Sequence, residues 1–466
     1  MDTRPYQVRR AAKVIGVTVA AAVGGFLFGF DSSVINGAVD SIQGRFGLGD
    51  VLTGFTVAIA LLGCAAGAWF AGGLADRWGR KKVMMLGSAL FIISSIGSGL
   101  AFSVPDLMLW RVLGGLGIGI ASVIAPAYIA EISPARMRGS LASLQQLAIT
   151  IGIFAALLSD AVLANTADGA SNDLWMGLEA WRWMFLVGVI PAIVYGVLAM
   201  LIPESPRYLV GKHLDEEAAE VLANITGEKH PNERIHEIRL TLRKEQRSSF
   251  ADIRGPRFGL QPLVWVGIIM AVLQQFVGIN AIFYYSTTLW KSVGFTESQS
   301  FTTSVITSII NVAMTFVAIL FVDRVGRRNL LMAGSIGMFV GLMLAAVAFS
   351  QQIGTGDDVS LPEPWGVVAL VGANLFVIFF ASTWGPIMWV LLGEMFPNRM
   401  RAMALGIGTA ANWIANFVIS LLFPSLTETV GLTIVYGGFA FFAAVSFFFV
   451  KAKIPETNGM ELEDMK

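Results

Sequence analysis

The sequence predicts an all-α membrane protein of twelve transmembrane helices, in two six-helix bundles joined by a polar helical linker. Three observations predict it: an apolar composition, twelve apolar runs of bilayer length, and short motifs that recur between the two halves of the chain. Hydrophobic residues make up 55% of the chain and charged ones only 14%, where a soluble domain carries about 25% charged residues. The mean hydropathy of +0.69 agrees, so a multi-span membrane protein is the economical reading. Many of the 50 glycines sit inside the apolar runs. In lipid they let helix backbones approach closely, whereas in water they would weaken the helices.

Crossing a bilayer core takes roughly 20 residues of helix. By that measure the first half contains spans at 14–39, 53–75, 83–102, 107–130, 140–163 and 182–202, and the second half at 261–290, 302–322, 330–350, 364–392, 402–424 and 431–451. The first run is longer than a signal-peptide core and has no clear small-residue cleavage site, so it reads as a retained span. The longest polar stretch lies between the halves and is rich in Arg, Lys, Glu and Asp, with an amphipathic pattern around Ile235, Ile238 and Leu242. It reads as short surface helices. The expected division is therefore 1–202, a six-helix bundle; 203–260, the linker; 261–454, the second bundle; and 455–466, a short tail.

The formal net charge is zero, which gives no case for a nucleic-acid partner. Cys64 is the single cysteine and can form no intrachain disulfide, and the scattered His, Asp and Glu have no metal-ligand spacing. No cofactor is expected. The linker carries no Gly-rich phosphate loop and no nucleophile elbow, and His213, His230 and His236 read as solvated, so an enzyme is not expected. Lys and Arg are enriched in cytoplasmic loops. They gather at Arg4, Arg9, Arg10 and Lys13, at Arg77, Arg80, Lys81 and Lys82, and at Arg324, Arg327 and Arg328, whereas 160–181, 351–366 and 424–432 hold none. Both termini and the linker are thus expected on the cytoplasmic side.

The halves also match each other at an offset of about 250 residues, as a duplicated transporter scaffold would. LADRWGRKK from Leu74 answers FVDRVGRRN from Phe321, EISPARMRG from Glu131 answers EMFPNRMRA from Glu394, and PES at Pro203 answers PET at Pro455. Together with GGLADRWGRKK, PESPR, QQFVGINAIFYYS, VDRVGRR, GPIMW and GEMFPNRMR, these make the chain resemble the sugar porter family of the major facilitator superfamily over essentially its whole length. Bacterial proton-coupled xylose and glucose permeases look nearest, and facilitative glucose transporters more distant. The resemblance implies the major facilitator fold, alternating access and a monosaccharide substrate, while the short loops and tail point to a bacterial inner membrane. A single chain is expected to suffice.

A neutral polyol is recognised by paired donors and acceptors, with aromatic faces over its C–H surface. Span 7 holds Gln274, Gln275 and Asn280 within two turns, with Gln274 about 600° and Gln275 about 500° of rotation before Asn280, so a bend at Gly278 is expected to bring them to one place. Gln146, Asn311, Trp389, Asn412 and Trp413 lie at similar depth in other spans. By resemblance, Gln146, Gln274, Gln275, Asn280, Asn311 and Trp389 match the family's sugar-contacting positions. Phe26, Phe283, Tyr284, Tyr285, Trp384 and Trp413 are assigned as cavity walls or gates. An interhelical hydrogen bond is the competing use of any one of these amides.

Asp31 lies deep in span 1, where an unpaired ionised carboxylate is costly to hold. Arg111 in span 4 is its expected partner, and the resemblance to proton symporters supports the pair. Protonation of Asp31 from outside would loosen the pair and let the protein close over sugar and turn inward. A proton crossing about 100 mV supplies about 2.3 kcal/mol, roughly a 50-fold sugar gradient at about 1.4 kcal/mol per tenfold. Acids and bases also recur at the inner helix ends: Asp76 and Arg80, Glu131 and Arg138, Asp323 and Arg327, Glu394 and Arg401, and Glu204 and Arg207. Paired across the two halves, they are expected to latch the inner gate in the outward-facing state, although ordinary topology-setting charge would explain the bases alone. The expectation is a proton-coupled monosaccharide symporter. The alternatives are a facilitative uniporter, which Asp31 disfavours, and a non-transporting sensor, disfavoured by the short tail.

Overall fold

The computed structural model describes residues 4–132, 138–228, 230–244, 253–354, 359–397, 400–454 and 456. Twelve helical stretches among the described residues are long and apolar enough to cross a membrane, from Lys13–Phe46 to Leu432–Lys453. Several are not single rods. The first is α1 (Arg4–Ser33) followed by α2 (Ile35–Phe46), interrupted at Val34. The next four are α3 (Asp50–Trp78), α4 (Arg80–Gly99), α5 (Val104–Ile132) and α6 (Arg138–Thr166). A two-strand hairpin, β1 (Asp173–Trp175) and β2 (Leu178–Glu179), precedes α7 (Ala180–Val187) and α8 (Val189–Leu201), which form the sixth span.

The polar linker forms α9 (Pro206–Gly211), α10 (Asp215–Val221), a π-helical turn at Leu222–Thr226, and α11 (Pro231–Lys244). Ser205 caps α9 by accepting from the N–H groups of Arg207 and Tyr208, with Pro206 in the first turn, the arrangement that best satisfies a helix start. The small core of this region comprises Leu209, Val210, Ala218, Leu222 and Ile235, with Ile238 and Leu242 packed against it. The amphipathic pattern around Ile235, Ile238 and Leu242 is thereby explained: those residues cover this core.

The second half contains α12 (Pro262–Phe276) and α13 (Ile279–Ser292), which form span 7, then α14 (Glu297–Val325) and α15 (Arg327–Phe349). Span 10 is α16 (Trp365–Phe379), a π-helical segment at Phe380–Trp384, and α17 (Gly385–Glu394). The last two are α18 (Arg401–Thr429) and α19 (Leu432–Lys453).

By packing, the chain forms two compact units that interleave the sequence. The first comprises Met1–Asp31, Gly63–Gly152 and Phe185–Arg247, and the second Ser32–Leu62, Ile153–Met184 and Ser248–Lys466. Within the first unit α4 packs on α5 and α8. Glycines bring α3 and α5 backbone to backbone: a Cβ at Gly67 would meet the Leu116 carbonyl oxygen at 2.3 Å, the close approach that small residues permit in lipid. In the second unit α15 packs on α16 and α19, α12 on α18, and α13 on both α2 and α14.

Candidate functional site

Span 7 breaks where the amides cluster. Gly278 has φ +87°, and a Cβ there would meet the Phe439 ring at 2.4 Å, so only glycine fits the turn. Across the break Asn280 Nδ2 donates to Gln275 Oε1 at 2.7 Å. Gln275 Nε2 donates to Asn412 Oδ1 on α18 at 3.1 Å and more weakly to Gln274 Oε1 at 3.4 Å. Asn412 Nδ2 donates to Gln274 Oε1 (2.8 Å) and to the Ala271 carbonyl (3.0 Å), and Gln274 Nε2 donates to the carbonyls of Trp384 and Gly385. The four predicted amides are therefore one network tying span 7 to spans 10 and 11.

The network has a direction. Gln274 and Asn412 are buried and have their donors and acceptors occupied by one another, by Gln275 and by backbone. Asn280 is half-buried at the end of the chain of bonds. An amide offers two donors and an acceptor oxygen, and Asn280 has one N–H engaged in the bond to Gln275. It is the member best able to bond a ligand, while Gln274 and Asn412 hold the others in place.

The predicted aromatic residues fall into separate uses. Tyr285 donates to the Ser420 carbonyl at 2.7 Å and stacks on Phe423 at 5.2 Å, while the Tyr284 hydroxyl accepts from Asn416 Nδ2 at 3.4 Å. The Trp384 indole is fully buried, its N–H turned to the Leu331 carbonyl and Ser335 Oγ of α15. Phe283 and Trp413 are buried and Trp389 is half-buried. Asn311 is buried on α14. Phe26 and Gln146 belong to the first unit, each partly buried, with the Phe26 ring 6.1 Å from that of Phe30.

Asp31 and Arg111 are brought together as the sequence predicts. Arg111 Nη1 lies 3.6 Å from Asp31 Oδ2 and donates to the Asp31 backbone carbonyl at 3.3 Å, with side chains 2% and 9% exposed for Arg111 and Asp31 respectively. The guanidinium also sits 5.8 Å from the centre of the Phe185 ring. Asp31 Oδ2 makes no hydrogen bond. The pair is held by charge at a separation wider than a charge-assisted hydrogen bond.

At the end of the spans where α3 turns into α4, the predicted charges gather around Arg80. Its guanidinium reaches Glu131 at 2.8 Å and Asp76 at 3.3 Å, and Ser205 Oγ donates to the other Glu131 oxygen. Arg207 lies 4.0 Å from Glu131. Glu204 turns to the start of α4, where it accepts from the N–H groups of Arg80 (3.0 Å) and Lys81 (3.2 Å). Burial pushes its carboxyl above the usual range, against the pull of those donors, of the Ser205 N–H and of the Arg80 charge. The repeat reproduces the device: Glu456 accepts from the N–H groups of Arg327 (2.9 Å) and Arg328 (3.1 Å) at the start of α15. A carboxylate at a helix N-terminus satisfies orphan donors and complements the dipole. The predicted roles of Arg138, Asp323, Glu394 and Arg401 fall on side chains outside the described residues.

Sequence reasoning missed a second polar contact, between α2 and α13. Asn36 Nδ2 donates to Thr287 Oγ1 and its oxygen accepts from the Thr287 N–H, both at 3.0 Å. One turn on, Asp40 meets Lys291 at 2.9 Å and accepts from Thr288 Oγ1 at 2.7 Å. The i, i+4 spacing of Asn36 and Asp40, matched by Thr287 and Lys291, was the available signal. It also missed Asp160, a fully buried acid on α6 that an inventory of ionisable residues within spans would have found.

Interrupted spans carrying polar side chains at mid-length are how secondary transporters bind solutes, and that is the class this fold and these sites define. The model of the family described as "Sugar (and other) transporter" matches residues 17–466, and the chain belongs to that family. It is 53% identical to the glucose transport protein of Synechocystis sp. over 453 residues, covering 97% of each chain. It is 33% identical to the D-xylose-proton symporter of Escherichia coli over 485 residues, covering 97% of this chain and 95% of the relative. The solved inward-open conformation of the E. coli xylose transporter XylE superposes with a TM-score of 0.83 at 32% identity, covering 97% and 99% of the two chains. The fold is that of the major facilitator superfamily.

Proposed function

We propose that this chain is a proton-coupled monosaccharide symporter working by alternating access, with glucose as its foremost substrate. The buried Asp31–Arg111 pair carries the coupling. A carboxylate in the apolar part of a span is tolerated only with a countercharge or a proton, and a facilitated diffusion path has no need of one. Protonation of Asp31 releases Arg111 and frees α1 to shift against α5; deprotonation on the other side restores the pair. The amide network supplies the sugar's polar contacts, with Asn280 and Gln275 as donors and acceptors and with Asn311 and Trp389 as further contacts.

The substrate reading rests on the similarity to a glucose transport protein, since the amides alone suit any of several monosaccharides. The protein resides in a bacterial inner membrane, with both termini and the linker cytoplasmic, and acts as a monomer. The Arg80–Glu131 cluster then lies on the cytoplasmic side and the Asn36–Thr287 and Asp40–Lys291 contacts on the outer side. Competition of labelled glucose uptake by unlabelled glucose, xylose, galactose and arabinose in proteoliposomes tests the substrate. Glucose is expected to compete most strongly, and no competition by any sugar would overturn the reading.

A further inference from the structure

Asp160 is an acid that neither the coupling pair nor the amide network uses. It is 0% exposed in the second half of α6, and its Oδ2 accepts from the backbone N–H of Gly37 at 3.2 Å. Its Oδ1 has no hydrogen-bond partner. A Cβ at Gly37 would meet Asp160 Oδ2 at 2.7 Å and its Cβ at 2.8 Å, so the acid presses directly on the backbone of α2. Gly37 is the third residue of α2, which begins after the interruption at Val34. The N–H groups of a new helix's first turn have no partner within it, and a side chain from another span supplies one here.

The charged groups around it are committed elsewhere. Arg138, 22 residues away along α6, is the other ionisable residue of that helix, and α2 carries Asp40 and Arg45. Asp40 is paired with Lys291 of α13, while Arg45 and Arg182 are turned to Glu179. No described cation lies within ion-pair distance of Asp160, and an isolated ionised carboxylate in such surroundings neutralises instead.

We propose that Asp160 is a second proton-binding group of the membrane domain. It is neutral while α2 is docked on α6, and it exchanges its proton with the outer medium when α2 moves away and water reaches the carboxyl. The sign follows: the docked arrangement holds the extra proton, so low outer pH favours docking and high outer pH favours release. A single linked proton changes that balance by at most about tenfold per pH unit. This site is independent of Asp31. It makes the outer closure of span 1 sensitive to pH without itself carrying a proton across.

The test is sugar exchange by proteoliposomes at equal pH on both sides, comparing Asp31→Asn with Asp31→Asn/Asp160→Asn. The amide keeps an acceptor for the Gly37 N–H; Asp160→Ser serves if the double variant is not recovered. In Asp31→Asn, exchange is expected to slow severalfold as pH falls from about 8 to about 5, within the tenfold-per-unit limit. In the double variant the profile is expected to be flat, and the infrared band of a buried protonated carboxyl seen in Asp31→Asn to be absent. A flat profile in Asp31→Asn, or a slope and band that persist in the double variant, overturns the proposal. Loss of uphill uptake in Asp31→Asn is a separate readout that bears only on the coupling role of Asp31.

Discussion

The two ionisable side chains of the Asp31–Arg111 pair are not equivalent. Arg111 is 2% exposed and donates to the Asp31 backbone carbonyl as well as facing its carboxylate. Removing either partner breaks a buried pair, at about 3–5 kcal/mol, but a stranded carboxylate can take up a proton whereas a stranded guanidinium stays charged. Asp31→Asn, which leaves Arg111 without a countercharge, is accordingly expected to lower the melting temperature of the purified protein at least as much as Arg111→Leu. An unchanged melting temperature in Asp31→Asn would show that the pair contributes no net stability. Among the amides, Asn280→Ala is expected to weaken glucose binding by about tenfold, the loss of about 1.4 kcal/mol, with little change in stability. Gln274→Ala removes one acceptor of the Asn412 amide, which keeps the Ala271 carbonyl and Gln275, and one donor to the Trp384 and Gly385 carbonyls; at roughly 1–3 kcal/mol for a buried group left short of a partner, it is expected to destabilise the fold as well. Binding and melting measured on both variants separate the roles. That Gln274, Gln275 and Asn280 gather was legible in the sequence, because polar amides flank a glycine in an apolar run. Which of them is occupied by the others was not, since that depends on Asn412 and on carbonyls more than a hundred residues away.

At the scale of elements, the breaks in the spans decide where polar groups can sit. Gly278 announces the break in span 7, and the structure places it in the left-handed region against Phe439. Gly278→Ala is expected to combine backbone strain, of order 1–3 kcal/mol, with a clash against that ring. It should lower thermal stability and sugar affinity together; unchanged values for both would mean the bend is not needed. The interruption of span 1 at Val34 is not announced, for GFDSSVINGAV contains no proline and extended prediction ends the span at Val39 rather than Phe46. Its partner is Asp160, 123 residues from Gly37, a distance that local propensity does not register. The π-helical segment at Phe380–Trp384 is signalled only by Pro386 just beyond it, which has no N–H for the helical ladder; the Trp384 indole bonds to α15 hold it. The Asp76–Arg80 pair follows helical i, i+4 spacing and was legible. Arg80 with Glu131, and the capping of α4 by Glu204, needed the folded chain. Glu204→Gln and Glu456→Gln each weaken a carboxylate cap at a helix start, and each is expected to cost about 1 kcal/mol in unfolding stability.

Across the whole molecule the duplication is chemical as well as topological. Each half places an acid from a Pro-Glu-Ser or Pro-Glu-Thr motif on the first N–H groups of the helix that follows a Gly-Arg turn. The halves differ in their polar groups: the first half carries the Asp31–Arg111 pair, and the second carries the uncharged network around Gln275. The proposed cycle, with a neutral sugar bound on one half and a proton on the other, is served by this division, because a charged group within a sugar network would compete for its hydrogen bonds. The most direct measurement is accumulation of labelled glucose in proteoliposomes with an imposed inside-alkaline pH gradient. The native chain is expected to concentrate glucose above its outside level, and Asp31→Asn to equilibrate or exchange it without accumulation. Accumulation by Asp31→Asn equal to that of the native chain, or none by the native chain, would contradict the coupling.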